Sequence, residues 1–70
     1  MKRRDVLEKV RQAAKAKGLS YKTQELTRHT VVIVCGMSRT LGRHAEIDDV
    51  TARKFWDQFA DVLGGKGWWR

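Results

Sequence analysis

Two hydrophobic rhythms divide the chain. Near its start Val6, Leu7, Val10, Ala13 and Ala14 recur at helical spacing, which lays one apolar stripe along a single side of a helix. Arg4, Arg11 and Lys15 gather on another side, with Lys9 apart. Asp5 and Glu8 suit the beginning of this helix, because Asp accepts from first-turn amides and both acids favour the positive end of the helix dipole. Gly18, preceded by Lys15 and Lys17, supplies the stop.

The rhythm then shortens. Leu19 to Thr27 alternates loosely, with Lys22 and Glu25 interrupting, the pattern of an edge strand guarded by charge. Thr27-Arg28 is a tight connection into His29–Cys35, the most β-branched run in the chain. Cys35-Gly36-Met37-Ser38 reads as a turn and Arg39–Arg43 as a short third strand. Such connections are too short for a parallel crossover, so the strands form an antiparallel meander. Ala45 to Asp49 is a loop whose acids, Asp48 or Asp49, cap a last helix from Val50 to Leu63. Ala52, Phe55, Trp56, Phe59, Ala60, Val62 and Leu63 make its apolar face, and Gly64-Gly65 ends it. The expectation is one domain over residues 1–70 with a Gly/Trp-rich tail at 64–70. Its fold class is two-layer α+β: a helix, a three-stranded antiparallel sheet and a helix. His29, Val31 and Ile33 share one face of the second strand, Val32 and Val34 the other. Both sets are rich in apolar residues, so the pattern does not choose the face that meets the helices.

Composition narrows the class of partner. The formal net charge is +7, from 15 Lys+Arg against 8 Asp+Glu, which favours a polyanion such as nucleic acid. No apolar run approaches the ~20 residues of a spanning helix, and no leader is expected in the opening K-R-R-D-V-L, so no membrane partner is expected. The single Cys35 has no partner for an internal disulfide, which points to a reducing, cytoplasmic setting. Its simplest role is that of a small buried apolar residue.

The candidate chemistry lies between Arg28 and His44. This stretch holds Arg28, Arg39 and Arg43 and carries a histidine near each end, with no acid between Leu26 and Ala45. Histidine, with an ordinary pKa of ~6.5, suits proton transfer at neutral pH. His29 among these arginines is placed to take the 2′-OH proton of a ribose while the guanidinium groups hold the scissile phosphate. The alternative is a strand-end histidine bonded to a neighbouring carbonyl. His44 is a possible helper, the second member of an acid–base pair, or else a turn-stabilising residue. A metal site from His29, His44 and Cys35 fits no standard zinc spacing. The stripe of Arg4, Arg11 and Lys15 either extends a phosphate-binding surface or is a solvated face. Trp68 and Trp69 either stack on bases or fold back over the core.

K-R-R-D-V-L, then R-H-T-V-V-I-V with its turn, then G-R-H-A-E-I-x-x-x-T-A-R-K and an amphipathic last helix together resemble the HicA toxins of prokaryotic toxin–antitoxin pairs. The resemblance spans roughly residues 2–63, in the family's order of elements. It implies a double-stranded-RNA-binding-domain-like fold and a small ribonuclease that cleaves mRNA without a metal or other cofactor. It further implies neutralisation by a HicB-type antitoxin. The family's catalytic histidine at the start of the second strand corresponds to His29, and the family's P-x-H to Gly42-Arg43-His44. Thr27-Arg28 stand where the family usually has glycine and a small or polar residue, and Gly42 stands where it has proline.

Overall fold

The computed structural model describes Met1 to Arg70. The elements run α1 (Arg3–Ala16), β1 (Tyr21–Glu25), β2 (His29–Val34), β3 (Met37–Gly42), α2 (Asp49–Asp57) and α3 (Ala60–Leu63). The strands form one antiparallel sheet in the order β1-β2-β3. The helices cover one of its faces, so the α+β layout read from the hydrophobic rhythm is the observed one. No helix is long and apolar enough to cross a membrane.

Helix α1 begins two residues before Asp5, and no side chain caps it. Backbone pairing holds its start instead. The Arg3 N–H donates to the Ala45 carbonyl at 3.0 Å and the Ile47 N–H to the Met1 carbonyl at 2.7 Å, around a Lys2–Glu46 bridge. Asp5 lies inside the first turn, where its charge still favours the dipole. Val6, Val10 and Ala14 are buried on the stripe the spacing defined. The 45–47 segment is thus more than a loop, and Ile47 within it joins the core.

Strand β2 settles the face that the pattern left open. Thr30, Val32 and Val34 are fully buried, whereas His29 is exposed and Val31 and Ile33 are only partly covered. Thr30 tolerates burial because its hydroxyl donates to the Glu25 carboxylate at 2.8 Å. The sheet therefore meets the helices through Thr30, Val32 and Val34 and turns His29 to the opposite, open face.

The β2–β3 turn is tighter than the four residues assigned to it. Cys35 (φ 51°) and Gly36 (φ 82°) both have positive φ, the signature of a two-residue hairpin loop whose twist matches the flanking strands. Met37 and Ser38 consequently belong to β3. Cys35 is exposed at the hairpin tip, not buried. The alternation after inward-facing Val34 already turns it away from the core.

The last helix also differs from a single span over Val50–Leu63. Asp48 caps α2, accepting from the Thr51 N–H at 3.1 Å and the Thr51 hydroxyl at 2.6 Å. The helix then breaks at Gln58-Phe59, whose N–H groups donate to the Phe55 and Trp56 carbonyls. These are i→i−3 bonds, which tighten a helix end. Phe59 at the break is fully buried and packs edge-on against Phe55, with ring centroids 5.4 Å apart. Beyond α3 the tail folds back. The Trp68 indole donates to the Trp56 carbonyl at 2.7 Å and the Trp69 indole to Asp57 at 2.9 Å. Trp56 in turn donates to the Val6 carbonyl at 3.1 Å, tying α2 to α1. Both tail tryptophans are packing residues in this structure.

Candidate functional site

The β1–β2 hairpin closes with the Leu26 N–H donating to the His29 carbonyl at 2.8 Å. Thr27 and Arg28 form its tip, which fixes Arg28 and His29 where β2 begins. In the antiparallel register His29 faces Gly42, the last residue of β3. Arg43 and His44 follow as the chain leaves the sheet. Arg28, His29, Gly42, Arg43 and His44 therefore line one open hollow of ≈ 470 Å³ with no hydrophobic residue in its wall.

Gly42 brings the two histidines together. Directly opposed residues of an antiparallel pair share a face, with Cβ atoms about 4.5–5.5 Å apart. A Cβ at Gly42 would thus stand beside that of His29. The His44 ring occupies this neighbourhood, its Cδ2 3.2 Å and its Nε2 3.6 Å from where that Cβ would be. The missing side chain leaves room for the His44 imidazole over the residue that faces His29.

The arginines divide. Arg28 is exposed in the hollow. Arg43 is held from behind: its Nε lies 3.4 Å from Glu25 Oε2 and its Nη1 donates to the Leu26 carbonyl at 3.3 Å. Arg39 is not part of the group. It pairs with Val32 in the register and so falls on the helix-facing side, where its Nη1 donates to the Ser38 carbonyl at 2.6 Å. An odd offset of three residues from Gly42 puts it on the wrong face.

The α1 cations divide too. Arg4 lines a second hollow of ≈ 420 Å³ with Lys2, Arg3, Ala45 and Glu46. It adjoins the first through the continuous segment 42–46. Arg11 and Lys15 line neither hollow. Arg11 is engaged along the helix by Glu8, its Nε donating to the two carboxylate oxygens at 3.0 and 2.9 Å. Those bonds hold the Glu8 carboxyl at about 2 and push the Arg11 guanidinium up.

A metal site using both histidines and Cys35 is excluded by distance, since Cys35 lies at the far end of β2, about 20 Å from His29 at ~3.3 Å per residue. No group of three or more His, Cys, Asp or Glu side chains converges anywhere in the chain.

Three contributors escaped the sequence reading: Lys2, Arg3 and above all Glu25. The Glu25 carboxylate takes the Thr30 hydroxyl, approaches Arg43, and accepts from Arg3 Nη2 at 3.3 Å. An acid and a threonine at corresponding places of two adjacent strands were the available signal, but only the register pairs them. No protein-family model matches this chain, and neither a curated protein nor a solved structure does.

Proposed function

We propose that this chain is a small cytoplasmic ribonuclease toxin of the HicA kind, with a double-stranded-RNA-binding-domain-like fold and a HicB-type antitoxin as its partner. One observation supports the reading: His29 and His44 line a single open hollow with Arg28 and Arg43, His44 lying over the glycine that faces His29. Metal-independent RNA cleavage needs one group to take a proton and one to give it, and two imidazoles at one phosphate can serve as that pair. His29 removes the 2′-OH proton of the ribose. The freed oxygen attacks the adjacent phosphorus, and the bond to the 5′-oxygen breaks. His44 protonates that leaving oxygen, so the products are a 2′,3′-cyclic phosphate and a 5′-hydroxyl. Arg28 and the free side of Arg43 offset the charge that builds on the phosphate oxygens.

The open, polar hollow suits an exposed strand better than a small apolar ligand, whose pockets are mostly lined by hydrophobic side chains. The net charge of +7 draws the RNA in.

The test pairs cutting with binding. The purified protein should cleave single-stranded or weakly structured RNA in the presence of chelator, and leave DNA and RNA 2′-O-methylated at the cut site intact. His29→Ala should slow cleavage by about 10²–10⁴-fold, the usual contribution of a positioned general base, while RNA binding persists. Undiminished cleavage by folded His29→Ala would remove His29 from the chemistry. Tight RNA binding with no cleavage by the unmodified protein would leave a basic RNA- or DNA-binding module of the same architecture as the better reading.

A further inference from the structure

Glu25 lines neither hollow, yet it touches Arg43, which lines the first. It lies at the end of β1, half-exposed at 50 %, and its carboxylate sits among Arg3, Arg43 and Thr30. Nearby negative charge repels a polyanion, so as a binding surface alone this region would be better without it. Its contacts show a different use. Thr30, fully buried on β2, donates to both carboxylate oxygens at 2.8 and 3.0 Å and fixes the carboxylate against the sheet. From that anchor Glu25 reaches Arg43 Nε at 3.4 Å, while the Leu26 carbonyl takes Arg43 Nη1 at 3.3 Å. An ion pair at Nε and a hydrogen bond from Nη1 thus bear on two of the three guanidinium nitrogens, and neither partner takes Nη2.

We propose that Glu25 is a positioning residue, resting on the ribonuclease reading: it gives up RNA affinity in order to hold Arg43 at the angle the transition state needs. A mobile arginine at this edge would follow the ground-state phosphate, stabilising substrate and transition state alike, which does not raise turnover. A guanidinium fixed in advance needs no reorganisation when charge develops on the phosphate, and so acts on the chemical step. Arg3, drawn to the same carboxylate from α1, ties this arrangement to the helix layer.

The prediction has two signs. Glu25→Gln keeps an acceptor for the Thr30 hydroxyl and removes the charge. It should bind non-cleavable 2′-O-methyl RNA more tightly, by about 2–5-fold, the size of an exposed charge interaction. It should cut unmodified RNA more slowly, by about 10²-fold in kcat, near the lower range for a lost electrostatic donor. A merely structural glutamate would lower stability, binding and turnover together. Arg43→Lys, which keeps the charge and loses the two-point hold, should slow turnover comparably. The double variant should be no slower than Arg43→Lys alone, because both changes remove one effect.

Multiplying losses in the double variant, or a fall in both affinity and turnover in Glu25→Gln, would overturn the proposal. Should Glu25→Gln fail to fold, the NMR signal of the Arg43 Nε–H decides in Thr30→Val, which removes the anchoring hydroxyl. That signal should be sharp in the unmodified protein and broadened in the variant, and an unchanged signal would overturn the proposal. Absence of cleavage by the unmodified protein would overturn the ribonuclease reading alone. The Arg43 signal would still report whether the acidic anchor exists.

Discussion

The imidazole of His44 lies over Gly42, its Cδ2 3.2 Å from the point a Cβ there would occupy, and this glycine faces His29 across the β2–β3 ladder. Glycine is needed here for room, not for backbone freedom, since Gly42 is absent from the positive-φ glycines. Gly42→Val should therefore be accepted by the backbone of an edge strand, where β-branched residues fit, while its methyl groups push the His44 ring away. The thermal midpoint should move by only a few degrees, and RNA cleavage should fall as far as it does in His44→Ala. Full activity in a folded Gly42→Val protein would show that His44 has no part in the reaction.

A second expectation concerns Phe59, which sits at the break between α2 and α3 and is fully buried against Phe55. Phe59→Ala should cost about 3–5 kcal/mol, the usual sum of lost transfer energy and cavity for a core phenylalanine. Domains of this kind have only about 5 kcal/mol or a little more in hand, so the variant should be largely unfolded at 37 °C. Denaturant unfolding measures it, and a loss below about 1 kcal/mol would mean that the core closes around the gap.

Acid should destabilise the fold, through Glu8 on α1 and through Asp48 and Asp57 in the C-terminal half. The Asp57 carboxyl is lowered by the Gly67 N–H and then by the Trp69 indole, and the Asp48 carboxyl by its hydrogen bonds with Thr51. Glu8, bonded to Arg11, is lowered to about 2. Each of these groups holds its proton less readily folded than unfolded, so each contributes stability above the ordinary carboxylate range. That contribution is lost as pH falls through the lowered folded values. Thermal midpoints should decline from about pH 5 downward, with tryptophan fluorescence reporting release of the tail. Asp57→Asn should flatten the decline, and a midpoint that rises on acidification would contradict the assignment.

Periodicity carried the element order because each element has one apolar face, and Val6, Val10 and Ala14 or Ala52, Phe55 and Trp56 declare theirs by spacing alone. It could not assign the faces of β2, where Val31 and Ile33 look as buriable as Val32 and Val34. That choice depends on Thr30 having Glu25 to bond with, a relation set by strand register. The same limit governed the site. His29, His44, Arg28 and Arg43 were visible as residue types near the ends of one stretch, and the hairpin returned them to one place. Arg39 looked equivalent, yet sheet parity sends it to the other face. Arg11 looked free until the helix turned Glu8 beside it. Cys35 was misplaced because a β-branched run reads as buried to its end, while the hairpin needs its last residue at the tip.

The uneven distribution of these cations leads to the last expectation, which concerns salt. Lys2 and Arg4 line the second hollow, whose Ala45 and Glu46 follow directly on Gly42–His44, and the Arg3–Ala45 and Ile47–Met1 backbone bonds join its two sides. A strand lying with its scissile phosphate at His29 and His44 would pass its neighbouring phosphates along segment 42–46 toward these two cations. Arg11 and Arg39 are elsewhere, one paired with Glu8 and one on the helix-facing side of β3. Each phosphate contact on a single strand adds about 0.7 to the slope of log affinity against log salt. Lys2→Gln with Arg4→Gln should therefore reduce that slope by about 1.4 for a 2′-O-methyl oligonucleotide long enough to reach both hollows. The pair should raise KM on RNA of that length and leave kcat unchanged, because the lost contacts hold substrate and transition state equally. Arg11→Gln with Arg39→Gln removes the same formal charge and should change the slope by much less. Equal effects from the two pairs would mean that the RNA responds to net charge alone, and the path from His44 toward Lys2 would have to be abandoned.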